Sequence, residues 1–272
     1  AAIVTRPAPA RIAARAATET VFVTSAGNHA RRYWAGNHTD GEWVTFDANG
    51  TQDGNMLNGG ESFSGRVQVS LRWDGWPNTD TDYDIFLLRD RAGSDVVVAR
   101  TSGHDGQPFE YLDTHVAKGR YYVAVRAVET DGGTDALELF TGHDLRYRSA
   151  GGRSAPATAP GVIAVGASEN GTVLPFSART GVDLVAPDDI AAQGVALEGG
   201  TSFAAPYVAG VAALTIEQHP ELGPQGVRTR LLEHAVDIGR PGTDPESGYG
   251  RVNASAAVRD PTSPDVRASA TA

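Results

Sequence analysis

Two kinds of hydrophobic pattern divide the chain. Val21-Phe22-Val23, Val162-Ile163-Ala164-Val165 and Val182-Asp183-Leu184-Val185-Ala186-Pro187 are short apolar runs of the kind that buried parallel strands show. Between and after them the apolar spacing is helical. Ile12, Ala13, Ala16 and Ala17 predict a helix over residues 11–20. A second helix is expected from about Ser202 through Leu214 to Gln218. A third opens at Pro224 and carries Val227, Leu231, Leu232 and Ala235 on one face. Short apolar strands interleaved with helices predict an α/β unit built on a mainly parallel sheet.

Residues 33–149 follow a different rule. Val67, Val69, Leu71 and Trp73 alternate with polar residues, as do Tyr83, Ile85 and Leu87, and Tyr121, Val123 and Val125. Val96-Val97-Val98 and Leu137-Glu138-Leu139 add strand candidates. Asp74-Gly75, Ala92-Gly93-Ser94, Asp105-Gly106 and Asp131-Gly132-Gly133 punctuate them as turns. The pattern predicts an all-β sandwich inserted into one α/β domain, which occupies residues 1–32 and 150–258. Residues 259–272, rich in Pro, Ser, Ala and Thr, read as a linker or disordered tail.

Composition narrows the function. Thirty-three acidic residues against 23 basic ones give a net charge of −10, which provides no basic stripe for nucleic acid. There is no cysteine, hence no disulfide or thiolate metal site. Runs of about 18 apolar residues are missing, so no membrane-spanning helix is expected. The first residues carry no apolar signal-peptide core and no initiator Met, so the chain is expected to follow a cleavage or to be a fragment. Asn37, Asn49, Asn170 and Asn253 lie in Asn-x-Ser/Thr strings, a weak sign in so Gly- and Thr-rich a chain.

The densest chemical signal is Gly199-Gly200-Thr201-Ser202-Phe203-Ala204-Ala205-Pro206-Tyr207-Val208-Ala209-Gly210. Glycines allow a sharp turn and close backbone approach. Ser202 then falls in the first helical turn, where free N–H groups and the helix dipole favour negative charge. That placement suits a nucleophile whose reaction passes through an oxyanion. A plain Ser/Thr cap on a buried helix would explain an isolated Gly-Thr-Ser, but not the whole run.

The run resembles the active-site serine segment of the subtilisin-like serine proteases. Further blocks resemble that family in the same order: Val21 to Asn28, Ala159 to Ala167, Phe176-Ser177 with Val182 to Pro187, and Gly248-Tyr249-Gly250-Arg251-Val252-Asn253-Ala254. The resemblance covers residues 11–32 and 150–258. It implies a subtilisin-like α/β fold, incomplete because the first strands are missing, acting as a serine endopeptidase. It implies Ser202 as nucleophile and Asn28 as oxyanion donor beside the Ser202 N–H. It also implies Ser25, Ala26 and Gly27 along the substrate pocket, with Gly200 and Thr201 supporting the oxyanion site. Asp183 reads as a structural carboxylate at a strand. No cofactor is required for such chemistry. The implied partners are a polypeptide substrate and the missing N-terminal half of the domain, and the implied location is extracellular.

The family's Asp-Thr-Gly or Asp-Ser-Gly and its His-Gly-Thr occur nowhere in the chain. His29, His38, His104, His115, His143, His219 and His234 all read as solvated or structural. Without a base for Ser202 the chain by itself is expected to be inactive, and Val21-Phe22-Val23 is expected to be an exposed apolar edge. The insert carries two further candidates. Asp74, Asp80, Asp82 and Asp84 read either as a structural calcium site or as a solvated acidic loop, the spacing not being that of an EF-hand. Trp34, Trp43, Trp73 and Trp76 are either core or the platform of a non-catalytic binding module, which is the alternative function.

Overall fold

The computed structural model describes residues 8–103, 106–189 and 199–259; the His104-Asp105 pair and the tail from residue 260 lie outside the described residues. In chain order the elements are α1 (Ala8–Glu19), β1 (Val23–Ser25), β2 (Tyr33–His38), β3 (Asn55–Met56), β4 (Phe63–Trp73), β5 (Asp82–Asp90), β6 (Val96–Arg100), β7 (Phe109–Glu129), β8 (Asp135–Thr141), β9 (Ile163–Glu169), β10 (Thr172–Val173), β11 (Leu184–Pro187), α2 (Thr201–Gln218), α3 (Pro224–Glu233) and α4 (Ala254–Val258). The described residues form two compact units, one within residues 29–152 and one of residues 8–28 with the described part of 153–259.

The second unit is α/β. Strand β9 is its centre, and Ile163 to Ala167 are all buried because both faces are covered. On one side β1 runs parallel to it, Val23 opposite Ile163 and Ser25 opposite Val165. On the other side β11 runs parallel, Leu184 opposite Val165 and Pro187 opposite Ser168. Helix α2 lays Ala204, Ala205, Val208, Val211 and Ala212 on the core with Ile163, Val165, Leu184 and Ala186. Helix α1 packs Ala10 and Ala13 against Ala159 and Val162 in a separate cluster. It starts three residues before the predicted helix because Pro9 fits a first turn, whose N–H groups have no intrahelical partner. The first strand begins at Val23 rather than Val21, since pairing with β9 sets its limits. Val21 and Phe22 precede it half-buried.

The two edges of this sheet differ. Beyond β11 the closing segment bridges Val185 to Arg251, with Val252 N–H bonding Val185 O at 2.9 Å. Gly248 makes that approach possible. Its φ is +64°, and a Cβ there would stand 2.3 Å from Val182 O. Beyond β1, no strand pairs with the outer edge among the described residues. Helix α2 also keeps one apolar side in solvent. A helix turns about 100° per residue, so Pro206, Ala209, Ala213 and Ile216 fall on the side of Ser202. All four are exposed, and Leu214 beside them is 51% exposed. A helix apolar all round is normally a buried one.

The first unit is all-β. Strands β2, β8, β4 and the first half of β7 make one antiparallel layer, from Arg72 opposite Phe109 to Phe63 opposite Gly119. The second half of β7 pairs with β5, Asp90 opposite Arg120 through Asp82 opposite Glu129, and β6 lies outside β5. One 21-residue strand thus serves both layers. Val67, Val69, Leu71, Trp73, Tyr83, Ile85, Leu87, Val123 and Val125 fill the core of this unit, the alternating positions read from the sequence.

Candidate active site

The site is built where β1 and β11, the two parallel strands that flank β9, end at the start of α2. Strand β1 ends at Ser25, opposite Val165, and Ala26 N–H still bonds Val165 O at 2.8 Å. Gly27 then turns the chain, its carbonyl accepting from Ala178 N–H at 2.8 Å. Asn28 follows, and its side chain reaches α2. Its Oδ1 accepts from Thr201 N–H at 3.0 Å and from Thr201 Oγ1–H at 2.9 Å. The same Thr201 oxygen accepts from Gly27 N–H at 3.2 Å. Thr201 is 1% exposed, so one buried hydroxyl ties the strand end to the helix start.

These bonds fix which way the Asn28 amide points. A backbone N–H only donates, so the atom facing Thr201 N is the oxygen, and Nδ2 is turned away. Among the described residues Nδ2 has no hydrogen-bond partner, which leaves two N–H donors available. Gly200 gives it room. At φ +121°, a Cβ on Gly200 would come to 3.0 Å from Nδ2.

The first-turn N–H groups of α2 divide unequally. Gly200 N–H is bonded by Asp188 Oδ2 at 2.6 Å, and Thr201 N–H by Asn28. Phe203 and Ala204 N–H both bond Gly200 O, at 2.9 and 3.3 Å. Ser202 N–H alone in this turn has no partner among the described residues, and the Ser202 side chain is exposed. A free hydroxyl, a free N–H of the same residue and a free amide N–H at the positive end of a helix are the donors that acyl transfer uses around a nucleophile. Asp188, 6% exposed, was not singled out by the sequence reading. The only signal for it was an aspartate directly after a buried strand.

Asp183 is a structural group at the opposite end of β11 from Asp188. Its Oδ2 accepts from Ala164 N–H at 2.8 Å and its Oδ1 from Arg228 Nη2 at 2.6 Å. Six of the seven histidines lie among the described residues. His29 and His38 belong to the all-β unit, edge-on to Phe140 and Tyr83 respectively. Burial, then the neighbouring Arg32, holds the His29 imidazole below its ordinary pKa. His143 stacks on Phe63, and His115 is exposed on β7. His219 bonds Val258 O and His234 bonds Arg230 O.

The acidic run of the insert does not converge. Asp74 accepts from Ala136 N–H at 2.9 Å, Asp82 and Asp84 are buried on β5, and Asp80 is exposed. Among the described residues no three His, Asp or Glu side chains come together as metal ligands. Burial, then the nearby Asp82, raises the pKa of Asp84. Of the tryptophans, Trp34 and Trp73 are core and Trp43 and Trp76 half-buried, so the four do not form an exposed platform. Among the described residues no helix is long and apolar enough to cross a membrane.

A serine at a Gly-Gly-Thr helix start, over a parallel sheet and beside a strand-end asparagine, is an arrangement similar to the subtilisin-like protease fold. Residues 142–250 match the family model described as "Subtilase family", a stretch that contains Ser202 but not Asn28. The chain is 38% identical over 122 residues to the "Halolysin-like extracellular serine protease Nep" of Natrialba magadii, covering 42% of this chain and 22% of that protein. It is 37% identical over 117 residues to "Alkaline elastase YaB" of Bacillus sp. (strain YaB), covering 40% of this chain and 30% of that protein. The chain therefore spans a minor part of the length of these relatives. In fold it is similar to the structure of the Clostridium perfringens CspB protease, with a TM-score of 0.52 and 19% identity over 87% of this chain and 58% of that one.

Proposed function

We propose that this chain is the serine-bearing part of a secreted subtilisin-like endopeptidase. In this reading Ser202 Oγ attacks the carbonyl carbon of a peptide bond. The oxyanion is held by Ser202 N–H and Asn28 Nδ2, the amine leaves, and water then hydrolyses the acyl-Ser202 ester. Ser25, Ala26 and Gly27 line the pocket for the residue before the scissile bond, and Thr201 fixes Asn28. The observation that carries the reading is the division of donors at α2. Among the described residues every N–H of the turn from Gly200 to Ala204 has a partner except that of Ser202, and the Asn28 amide has its oxygen engaged and no partner on its nitrogen.

The proton acceptor for Ser202, with the acidic group that orients it, comes from a further polypeptide segment. That segment pairs with the free edge of β1 and covers the exposed apolar side of α2, the side on which Ser202 stands. Both features are what an unfinished sheet-and-helix core leaves behind. The extracellular location rests on the description of the Natrialba relative.

The test is labelling by a fluorophosphonate probe. The chain alone is expected to label negligibly. The protein that contains it together with the base-bearing segment is expected to label at Ser202, and to lose labelling and peptide hydrolysis in Ser202→Ala. Hydrolysis surviving Ser202→Ala would overturn the assignment.

A further inference from the structure

Among the described residues Asp188 is the buried carboxylate nearest in sequence before the nucleophile turn. It follows β11 directly, and β11 is held by its ladder to β9. Its Oδ2 accepts from Gly200 N–H at 2.6 Å, a charge-assisted bond within a site 6% exposed. The turn it grips is otherwise soft. Gly199 and Gly200 have φ of +73° and +121°, and neither has a side chain to pack. Gly200 O is held by Phe203 and Ala204 N–H, so the Asp188 bond fixes the other end of that residue.

We infer that Asp188 is a positioning residue for Ser202, an inference that rests on the proposed role of Ser202 as nucleophile. Two strand ends tether consecutive N–H groups of the turn. The end of β11 holds Gly200 through Asp188, and the end of β1 holds Thr201 through Asn28. The third N–H in line, that of Ser202, is left free for the oxyanion, at a position the two tethers define. Asp188 acts by fixing where that donor and the Ser202 hydroxyl stand, without touching substrate.

The experiment compares Asp188→Ala with Asp188→Asn, whose amide oxygen can accept the same bond. In the protein that contains the base-bearing segment, the rate of fluorophosphonate labelling per folded molecule is expected to fall about ten- to a hundredfold in Asp188→Ala, the range set by leaving one buried donor unpaired. The KM for a peptide ester is expected to stay within about twofold, the sign of a loss in kcat rather than binding. Asp188→Asn is expected to recover most of the rate. Labelling of Asp188→Ala at the wild-type rate, or of Asp188→Asn as slowly as Asp188→Ala, would overturn the inference. A second measurement needs no activity. In the chain itself Gly200 N–H is expected to be protected from hydrogen exchange, and to lose protection in Asp188→Ala but not in Asp188→Asn. Rapid exchange of Gly200 in the wild type overturns the contact. A wild-type protein that never labels overturns the nucleophile role, and the exchange data then report separately whether Asp188 grips the turn.

Discussion

Thr201 Oγ1 donates to Asn28 Oδ1 at 2.9 Å while accepting from Gly27 N–H at 3.2 Å. Residues 173 positions apart in sequence are thereby locked into one constellation, and the free Asn28 Nδ2 follows from it.

Thr201→Val removes that hydroxyl and leaves Gly27 N–H short of a partner in a buried place. A loss of about 1–3 kcal/mol is expected in the unit that contains α2. Thr201→Ser keeps the oxygen and is expected to restore most of it. Urea unfolding followed by Tyr and Trp fluorescence, together with the exchange rate of Gly27 N–H, checks both.

Asn28→Ala removes one proposed oxyanion donor. In the complete protease, kcat for a peptide ester is expected to fall by about 100- to 1,000-fold, the range established for such a donor in subtilisin itself, with KM nearly unchanged. A tenfold rise in KM at constant kcat would assign Asn28 to ground-state binding instead.

Gly248→Ala places a methyl group 2.3 Å from Val182 O and 2.4 Å from Asp183 O, at a φ of +64°. Backbone must move, so the bridge from Arg251 to Val185 is expected to open at a cost of more than about 2 kcal/mol. Gly242 also has a positive φ, +81°, but a Cβ there meets nothing within 4 Å, so the cost of Gly242→Ala should be the smaller. Denaturation midpoints of the two variants give the comparison.

Asp84 predicts a pH effect in the all-β unit. Burial, then Asp82, raises its pKa, outweighing Arg100 and Arg126. A carboxyl group with a folded pKa above its unfolded one binds more protons folded than unfolded, so its contribution falls as pH rises through that interval. Asp84→Asn is therefore expected to stabilise this unit at pH 7, and the gain to shrink as pH falls toward the ordinary carboxylate range. Thermal melts of both proteins across that range test the sign.

Ile216→Glu probes the uncovered side of α2. Ile216 is 43% exposed, so the stability of the chain alone should change by only about 0.5 kcal/mol. Binding of the base-bearing segment is expected to weaken at least tenfold. Equal affinity for wild type and variant, measured by calorimetric titration, would remove this face from the proposed interface.

The strands and helices of both units were largely legible because each fills a periodic pattern. Alternation at Val67 to Trp73 marks one-sided burial, and continuous runs such as Val162 to Val165 mark two-sided burial, whereas the alternation at Tyr83 to Leu87 hides a strand whose other face, Asp84 and Phe86, is buried as well. Element limits were less so. Val23 rather than Val21 opens β1 because the partner strand β9 begins opposite it, at Ile163, and no local signal encodes a partner. The tryptophans were ambiguous for a related reason. Trp73 lies on the inward register and is fully buried, while Trp34 is buried under Phe46, whose carbonyl takes its indole N–H at 3.1 Å.

The sequence by itself determined the type of each unit, the serine turn and its family resemblance, because these depend on local periodicity and on residues adjacent in the chain. Only the tertiary structure decided the wiring of the candidate site. Asn28, Asp188 and Thr201 meet because the parallel sheet brings the ends of β1 and β11 to the start of α2, and their hydrogen bonds then select one free N–H from five. A one-dimensional pattern specifies which faces are buried. Which donor remains unpaired depends on three-dimensional distances of a few tenths of an ångström, and those exist only once the strands have paired.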